Sequence, residues 1–407
     1  TIDETGLVTK LSPSVSINYS QPRINLALDY TINAVIYDGL EADNYENQNL
    51  NFVTKITHLP NRWSSKLFSR VSQANISTDG LQIVNGISES ENTSELRTYG
   101  LNTNYQGRLG DDIIYKTDLS AGAANYKGQD RKNSYGVNLA VNNKSNNNFT
   151  WNSSFSSNIS TSSNEIEKNE QIDRIQLEFN YRFNHKYQAF LSADKSSTSN
   201  NQLNDTGSTV GILWTPQKNS RIKFGTGIRG DDTSYILDML LKKRRLQFSM
   251  NYFELVTSSQ QLTLEQTSDQ QTGLVSINQS LSIYPVLIKK GEVKLSAKGR
   301  RNELGLSYVQ QTTDQKTNNV PKEKSQGLVL SAKHLLSSRS NLTVSLSQSD
   351  TETNQKNTVN DLQFGYNKKM SKSTSVTAYL RKTEQTSDIA ENEYINNLIG
   401  FKFLAVF

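Results

Sequence analysis

Three features of the sequence predict an all-β protein: a transmembrane, antiparallel, up-and-down β-barrel of about 18–22 strands. Apolar and polar residues alternate in segment after segment, short turns alternate with long polar connections, and the composition is too polar for a soluble core. Side chains of a β-strand point to opposite faces with a period of two, so each segment has one apolar and one polar face. In lipid, a barrel turns the apolar face outward. We expect short periplasmic turns and long extracellular loops, and one of the expected long connections runs from Asp350 to Thr358.

The alternation is clearest between Ile175 and Lys195. Odd positions from Ile175 to Phe183 are apolar and the even positions between them are polar, and the pattern resumes at Tyr187 after a turn. Counting all such segments gives roughly 21 strands, where single-chain bacterial barrels have an even number. We therefore expect either a short strand upstream of Thr1 or a miscount within 258–288.

The whole chain, 1–407, is predicted to be a single barrel domain. Residues 259–288 break the regular pattern, and they could form a long loop, a lumen insertion or another hairpin.

The composition excludes other classes. Only 34% of the 407 residues are hydrophobic and the mean hydropathy is -0.63, so a soluble core would be hard to build. Disorder conflicts with the regular alternation and with 18 Tyr and 14 Phe. No apolar run reaches the ~18 residues of a membrane helix. The absence of cysteine excludes structural disulfides and thiolate metal sites.

Aromatic residues lie close to the short turns. The three tryptophans, Trp63, Trp151 and Trp214, each lie within a few residues of such a turn, as do Tyr181 and Tyr187. Tyr and Trp are enriched where apolar and wet environments meet. These five residues are the predicted interfacial girdle.

The last segment carries a second signature. Apolar residues alternate there and end on an aromatic one, at Phe401, Phe403, Ala405 and Phe407. This resembles the signal that the barrel-assembly machinery of Gram-negative bacteria reads. We expect a bacterial outer-membrane location, with outer-membrane lipid, lipopolysaccharide and that machinery as partners.

The polar faces predict a wet lumen with many cations. The alternation points a set of basic side chains inward: Lys116, Arg174, Arg182, Lys223, Arg229, Lys294, Lys298, Arg300 and Arg381. Rings of Lys and Arg favour anions, and Asn, Gln and Tyr hydrogen-bond sugar hydroxyls, which indicates a conduit for an anionic or neutral polymer. The plainer interpretation is that any lumen must be polar and that nearby acids cancel the field.

No motif indicates catalysis. His58, His185 and His334 are far apart in the sequence, and there is neither a Gly-rich phosphate loop nor a nucleophile elbow. We expect no enzyme activity, metal, cofactor or nucleic-acid partner.

Several short motifs resemble one known family. They are Leu11–Ser16, Leu26–Tyr30, Arg97–Tyr99 and Gly299–Asn302. In these the chain is similar to the large outer-membrane β-barrels found beside exopolysaccharide (PEP-CTERM type) gene clusters, which include porin-like partners of polysaccharide export proteins. The resemblance implies non-enzymatic export of a polysaccharide with a periplasmic polysaccharide-export lipoprotein, and a strand upstream of the Leu-Ser-Pro segment.

Two other functions fit the same fold. One is a general diffusion porin for small solutes. The other is a barrel scaffold or surface receptor that presents adhesive extracellular loops.

Overall fold

The computed structural model describes residues 7–38, 44–75, 93–143, 148–163, 169–199, 204–258, 285–314, 322–353, 355–371 and 374–405. The strands are β1 (Leu7–Leu11), β2 (Ser14–Ser20), β3 (Ile24–Asp38), β4 (Tyr45–Leu59), β5 (Trp63–Asn75), β6 (Thr93–Leu109), β7 (Ile113–Tyr126), β8 (Lys132–Asn143), β9 (Phe149–Ser162), β10 (Glu170–Arg182), β11 (Tyr187–Thr198), β12 (Asp205–Gln217), β13 (Ser220–Arg229), β14 (Asp232–Lys243), β15 (Leu246–Ser258), β16 (Pro285–Lys298), β17 (Asn302–Asp314), β18 (Glu323–Leu335), β19 (Ser340–Glu352), β20 (Lys356–Lys369), β21 (Thr374–Ser387) and β22 (Tyr394–Ala405). A single 3-10 turn, Ala390–Asn392, accompanies them in these ranges, where no helix is long and apolar enough to span a bilayer.

The strands form one antiparallel sheet in which each strand from β3 onward pairs with the next along the chain. This confirms the predicted up-and-down order. β1 and β2 both pair with β3, opposite Ala34–Asp38 and Asn25–Thr31 respectively. They are therefore two parts of one strand, interrupted at Ser12–Pro13, because proline has no N–H to donate to the ladder.

Connections on the two rims of the sheet differ in length. The short-turn rim carries the connections after β2, β4, β6, β8, β10, β12, β14, β16, β18 and β20, and the long-connection rim carries the others. Two connections on the long-connection rim are nevertheless short. Residues 230–231 join β13 to β14 with Gly230 at φ 58, and only residues 353–355 join β19 to β20.

The second of these corrects the sequence prediction. We expected a long connection from Asp350 to Thr358, but Asp350 pairs with Thr358 and Glu352 pairs with Lys356. Backbone pairing does not need apolar side chains, so the strands continue past the apolar pattern. Residues 285–288 belong to the segment for which a long loop, a lumen insertion and another hairpin were all left open, and they begin β16. Residues 259–284 lie outside the described residues.

The two edges of the sheet run in the same direction. β2 and β22 both run from the long-connection rim to the short-turn rim, and within the described residues no pairing joins β22 to β1 or β2. An antiparallel partner of both edges must run the opposite way. Antiparallel closure into a barrel therefore takes an odd number of additional strands, and the expected strand upstream of Thr1 stays a prediction.

The outward face is apolar and exposed. On β22, Ile399 and Phe401 expose 74% and 79% of their surface. Other exposed outward residues are Ile17, Leu67, Leu101, Val137, Leu177, Val210, Phe224, Leu304, Leu346, Phe364 and Leu380. A patch of this extent is not stable in water, whereas in lipid it is solvated and the strand ladder satisfies the backbone.

The inner face is held together partly by aromatic rings lying on glycines. Phe190 points inward from β11 and is 2% exposed. Its ring occupies the space in which Gly211 and Gly225 of β12 and β13 lack a side chain, 2.5 and 2.6 Å from where a Cβ would be. Lys223 Nζ lies 4.3 Å from the centroid of the same ring.

Filling that space is expected to destabilise the sheet. In Gly211→Ala the new methyl group would collide with the Phe190 ring and with the Phe224 carbonyl oxygen, and overpacking of this kind costs about 1–3 kcal/mol. Urea unfolding of the refolded protein in detergent would measure the loss. The matched control is Gly291→Ala, whose new Cβ would lie 3.7 Å from its nearest neighbour, a ring carbon of Tyr252. Its free energy of unfolding should stay within about 1 kcal/mol of the wild-type value. Equal stability of the two variants would contradict this packing.

Candidate functional site: the lumen

A polar wall covers the inner face of β6 to β9. Asn104 of β6 donates a short hydrogen bond to Asp118 Oδ1 of β7, and Asn138 Nδ2 of β8 lies 3.4 Å from Asp118 Oδ2. Lys116 Nζ pairs with the same carboxylate at 3.0 Å. Alternation places these side chains on one face, and the strand pairing sets them side by side.

A denser set of charges lies farther round the wall. Arg229 of β13 pairs with Asp194 Oδ1 at 2.9 Å, with Asp205 at short range and with Glu254 Oε2 at 3.6 Å. Arg174 Nη2 lies 3.4 Å from Asp194 Oδ2, and Lys289 Nζ lies 3.8 Å from Glu254 Oε1. We call these six residues the Arg229 network.

The network is nearly closed to solvent. The Arg229 side chain is 10% exposed and that of Glu254 is 3% exposed. Ser234 Oγ and Tyr252 Oη also donate to the Glu254 carboxylate, at 3.3 and 2.9 Å. Buried charges need this degree of pairing, because an unpaired one carries a large desolvation cost.

Most of the predicted lumen cations lie in such pairs. Besides Lys116, Arg174 and Arg229, the pairs are Lys223 with Glu178 at 2.8 Å, Lys294 with Glu292 at 2.7 Å, Lys298 with Glu303 at 3.8 Å and Arg381 with Asp361 at 2.6 Å. Arg182 ends β10 at the short-turn rim. Contact between these cations and a polymer in the lumen stays a prediction.

Arg300 corrects the expected set. It lies in the turn between β16 and β17 and is exposed, so it belongs to the short-turn rim and not to the lumen wall. The alternation was extended two residues too far, because β16 ends at Lys298.

The β15–β16 hairpin extends beyond the end of the β14 pairing, while its β16 side stays paired with β17 as far as Leu287 opposite Asp314. β14 pairs with β15 only up to Leu237 opposite Tyr252, whereas β15 pairs with β16 as far as Ser258 opposite Pro285. We call the remaining part, residues 253–258 and 285–290, the β15–β16 tip.

The tip lies across the lumen. Val256 and Leu287 form an apolar cluster with Ile172 of β10, which is five strands away from β15 in the sheet. Val286 and Ile288 are 0% and 1% exposed. The sequence held a signal for this, since Val286 to Ile288 are apolar without alternation, as expected of a segment covered on both faces.

A cavity of about 650 Å³ lies between the tip and the opposite wall. Its lining combines Leu255, Val256 and Thr257 with inner residues of β6 to β10. Sequence reasoning did not predict this cavity, because it depends on contact between strands that are distant in the sheet.

The predicted girdle residues lie at or near the short-turn rim. Trp63 is the first residue of β5, Trp151 is the third of β9, and Tyr181 is the last but one of β10. The rings of Tyr187 and Trp214 are parallel and stacked, with their centroids 6.3 Å apart. Their role at the lipid interface stays a prediction.

The predicted assembly signal lies at an edge of the sheet. Phe401 and Phe403 are exposed on the outward face of β22, and Ala405 is its last residue. Phe407 lies outside the described residues.

Within the described ranges, no group of three or more His, Asp or Glu side chains could hold a metal ion. His58 packs against Trp63 with the ring centroids 4.3 Å apart, and its Nε2 lies 2.9 Å from Ser65 Oγ.

No protein-family model matches the chain, and no curated protein sequence matches it significantly. Among solved structures, the siderophore receptor PirA from Acinetobacter baumannii is similar over 93% of this chain and 74% of that one, with 10% identity and a TM-score of 0.48. The siderophore receptor PirA from Pseudomonas aeruginosa is similar over 94% of this chain and 77% of that one, with 8% identity and a TM-score of 0.47. The copper transporter OprC is similar over 92% of this chain and 79% of that one, with 10% identity and a TM-score of 0.41. Similarities this low carry no argument about function.

The sheet itself defines the class of protein. A long up-and-down antiparallel sheet with an apolar outward face, a polar inner face and rims of unequal connection length is the architecture of bacterial outer-membrane β-barrels. The protein is a transmembrane β-protein of the outer membrane.

Removing the central cation of the Arg229 network is expected to be costly. Arg229→Gln would leave Asp194, Asp205 and Glu254 short of a counter-charge, and breaking a buried pair typically costs about 3–5 kcal/mol. Urea unfolding in detergent measures the change. As a control, Arg221→Gln removes an exposed pair with Asp238 and should cost less than about 1 kcal/mol. If both variants unfold alike, the network does not stabilise the lumen.

Proposed function

We propose that the protein is a non-enzymatic outer-membrane channel for polar cargo that the β15–β16 tip holds closed. The observation that carries this proposal is the contact of the tip with β10 across a polar, charge-paired lumen. A wall of this many strands encloses a water-filled space unless something fills it. Here the filling element is part of the wall.

The charge pairing supports cargo without strong net charge. Most of the predicted lumen cations lie beside carboxylates, so much of their field cancels and this part of the wall offers mainly amides, hydroxyls and paired ions. A ring of unpaired cations would favour anions. The pairing therefore favours the interpretation in which the lumen is simply polar and nearby acids cancel the field of its cations.

Within the described residues, the tip lacks a backbone partner along its β15 edge. It has no ladder bonds to β14, since that pairing ends at Tyr252. Its β16 half stays in the backbone ladder with β17 as far as Leu287 opposite Asp314. Its β15 half is held against the wall by the apolar contact with Ile172 and by the contacts of Glu254 with Arg229 and Ser234. Breaking such side-chain contacts is compatible with a gating motion.

The cargo proposed is a polysaccharide. The family resemblance of the short motifs supports export of an exopolysaccharide, together with a periplasmic polysaccharide-export lipoprotein as partner. Cationic residues on the short-turn rim, such as Arg62, Lys186 and Arg301, would be available to that partner. Loss of the gene should lower the amount of surface polymer in the native host, and unchanged polymer would count against this cargo.

Closure by the tip weighs against an always-open diffusion porin. The scaffold or receptor alternative depends on long connections, most of which lie outside the described residues.

The gate is tested by tethering it. The chain contains no cysteine, so Ile172→Cys with Val256→Cys gives one pair that a short bis-methanethiosulfonate reagent can bridge. Each cysteine then forms a reducible disulfide with release of methanesulfinate. In planar bilayers we expect low conductance while the bridge is intact and a severalfold higher open conductance after reduction. A bridge between Leu304→Cys and Ala332→Cys, which are partners on adjacent wall strands, should have no effect. A large, constant conductance in both bridged and reduced protein would contradict gating by the tip.

A further inference from the structure

The cavity beneath the β15–β16 tip has the size of a ligand site. Its volume of about 650 Å³ falls within the ~300–1,000 Å³ of small-molecule sites. The inner face of β6 to β10 forms its floor, and the tip forms its roof. It is therefore bounded by two parts of the wall that are not neighbours in the sheet.

The floor is concave because small side chains line its centre. Ser120, Gly136 and Ser156 lie there on adjacent strands, and a Cβ on Gly136 would be 2.5 Å from both Ser120 Oγ and Asn158 Oδ1. Around them lie primary amides, among them Asn138. Amides donate and accept at once, which matches hydroxyl groups, since these also do both.

Arg174 contributes donors that the fold leaves unused. Its Nη2 lies 3.4 Å from Asp194, whereas Arg229 Nη2 lies 2.9 and 3.0 Å from the two oxygens of that carboxylate. The Arg174 side chain is 24% exposed. A guanidinium has five N–H donors, so this one can serve a ligand in the cavity that it lines.

The charges around the cavity are balanced. Asp118 is paired with Lys116. The Arg229 network contains the cations Arg174, Arg229 and Lys289 and the anions Asp194, Asp205 and Glu254, three of each sign. A charged ligand would gain little here and would lose its hydration.

The roof supplies the complementary apolar surface. Leu255 and Val256 line the cavity from the tip, and Phe68 and Ile172 add apolar surface from the wall. A pyranose ring has the same two-sided character, with hydroxyls at its edge and C–H groups on its faces.

From these observations we infer that the cavity is a binding site for a neutral saccharide unit. The amides of the floor and the guanidinium of Arg174 hydrogen-bond its hydroxyls, and the tip covers its apolar face. This inference rests on the proposed channel function and names the part of a polymer that the closed lumen holds.

The test is titration calorimetry on the detergent-solubilised full chain. The probes are neutral trisaccharides of glucose, galactose, mannose and N-acetylglucosamine, together with trigalacturonate as the charged comparison. At least one neutral trisaccharide should bind saturably, and more tightly than trigalacturonate. Asn138→Leu and Arg174→Met should each weaken that binding by tenfold or more.

Matched controls separate site loss from misfolding. Asn367→Leu changes an inward amide on β20 that bonds Thr377, and Arg221→Met changes an inward cation on β13 paired with Asp238. Neither residue lines the cavity, so both variants should bind as wild type does. If no neutral trisaccharide binds, if trigalacturonate binds more tightly, or if the controls weaken binding equally, the inference is overturned.

Failure of this inference is distinguishable from failure of the channel. If the tethered tip controls conductance but no saccharide binds, the channel stands without this site. Saccharide binding in a lumen that never conducts would retain the site and overturn the channel.

Discussion

The backbone hydrogen-bond ladder is the constraint on which the rest of this structure depends. A bilayer offers no water to an unpaired N–H or C=O, so each strand must satisfy its neighbours along its whole length. From β3 to β22 the strands do so in chain order, with registers that shift only beside the short turns at Thr57/Leu59 and Trp214/Gln217. Described prolines lie where that ladder starts, turns or breaks, such as Pro13, Pro60 and Pro285. The low hydrophobic content follows, because only one face of each strand contacts lipid.

The inner face solves a different problem. Water in a lumen would tolerate isolated charges, yet most of the predicted lumen cations lie beside carboxylates and the best-paired ones are nearly buried. Around Arg229, burial arises where Glu254 of the β15–β16 tip packs against the wall, and in such a narrow space an unpaired charge would lose its hydration. Closure of the lumen and neutralisation of its charges are therefore linked.

The wall is not uniform around its circumference. β13 has 10 residues, and a tight turn at Gly230 joins it to β14, so the wall is low at that point. Beside it, β15 continues past the end of its pairing with β14. A strand that has lost one partner at its end gains contacts by folding over the inner face. Here Glu254 of β15 contacts Arg229 of β13, and Val256 of β15 contacts Ile172 of β10.

Strand order, the facing of most side chains and the placement of short turns were determined by the sequence alone. These are local properties: the period of two assigns faces, and Asn, Gly and Pro between periodic runs assign turns. Rim connections were predicted less well, as at 353–355, because strands continue into polar sequence where no periodicity marks them.

The lumen itself was decided only by the tertiary structure. Alternation places Arg174 and Arg229 inward, but nothing in the linear pattern says that both meet Asp194, or that Glu254 joins them. The contact of Val256 and Leu287 with Ile172 joins strands that are distant in the sheet. A sequence fixes the face on which a side chain lies, whereas the curvature of the sheet fixes which faces meet, and that curvature is a property of all the strands together.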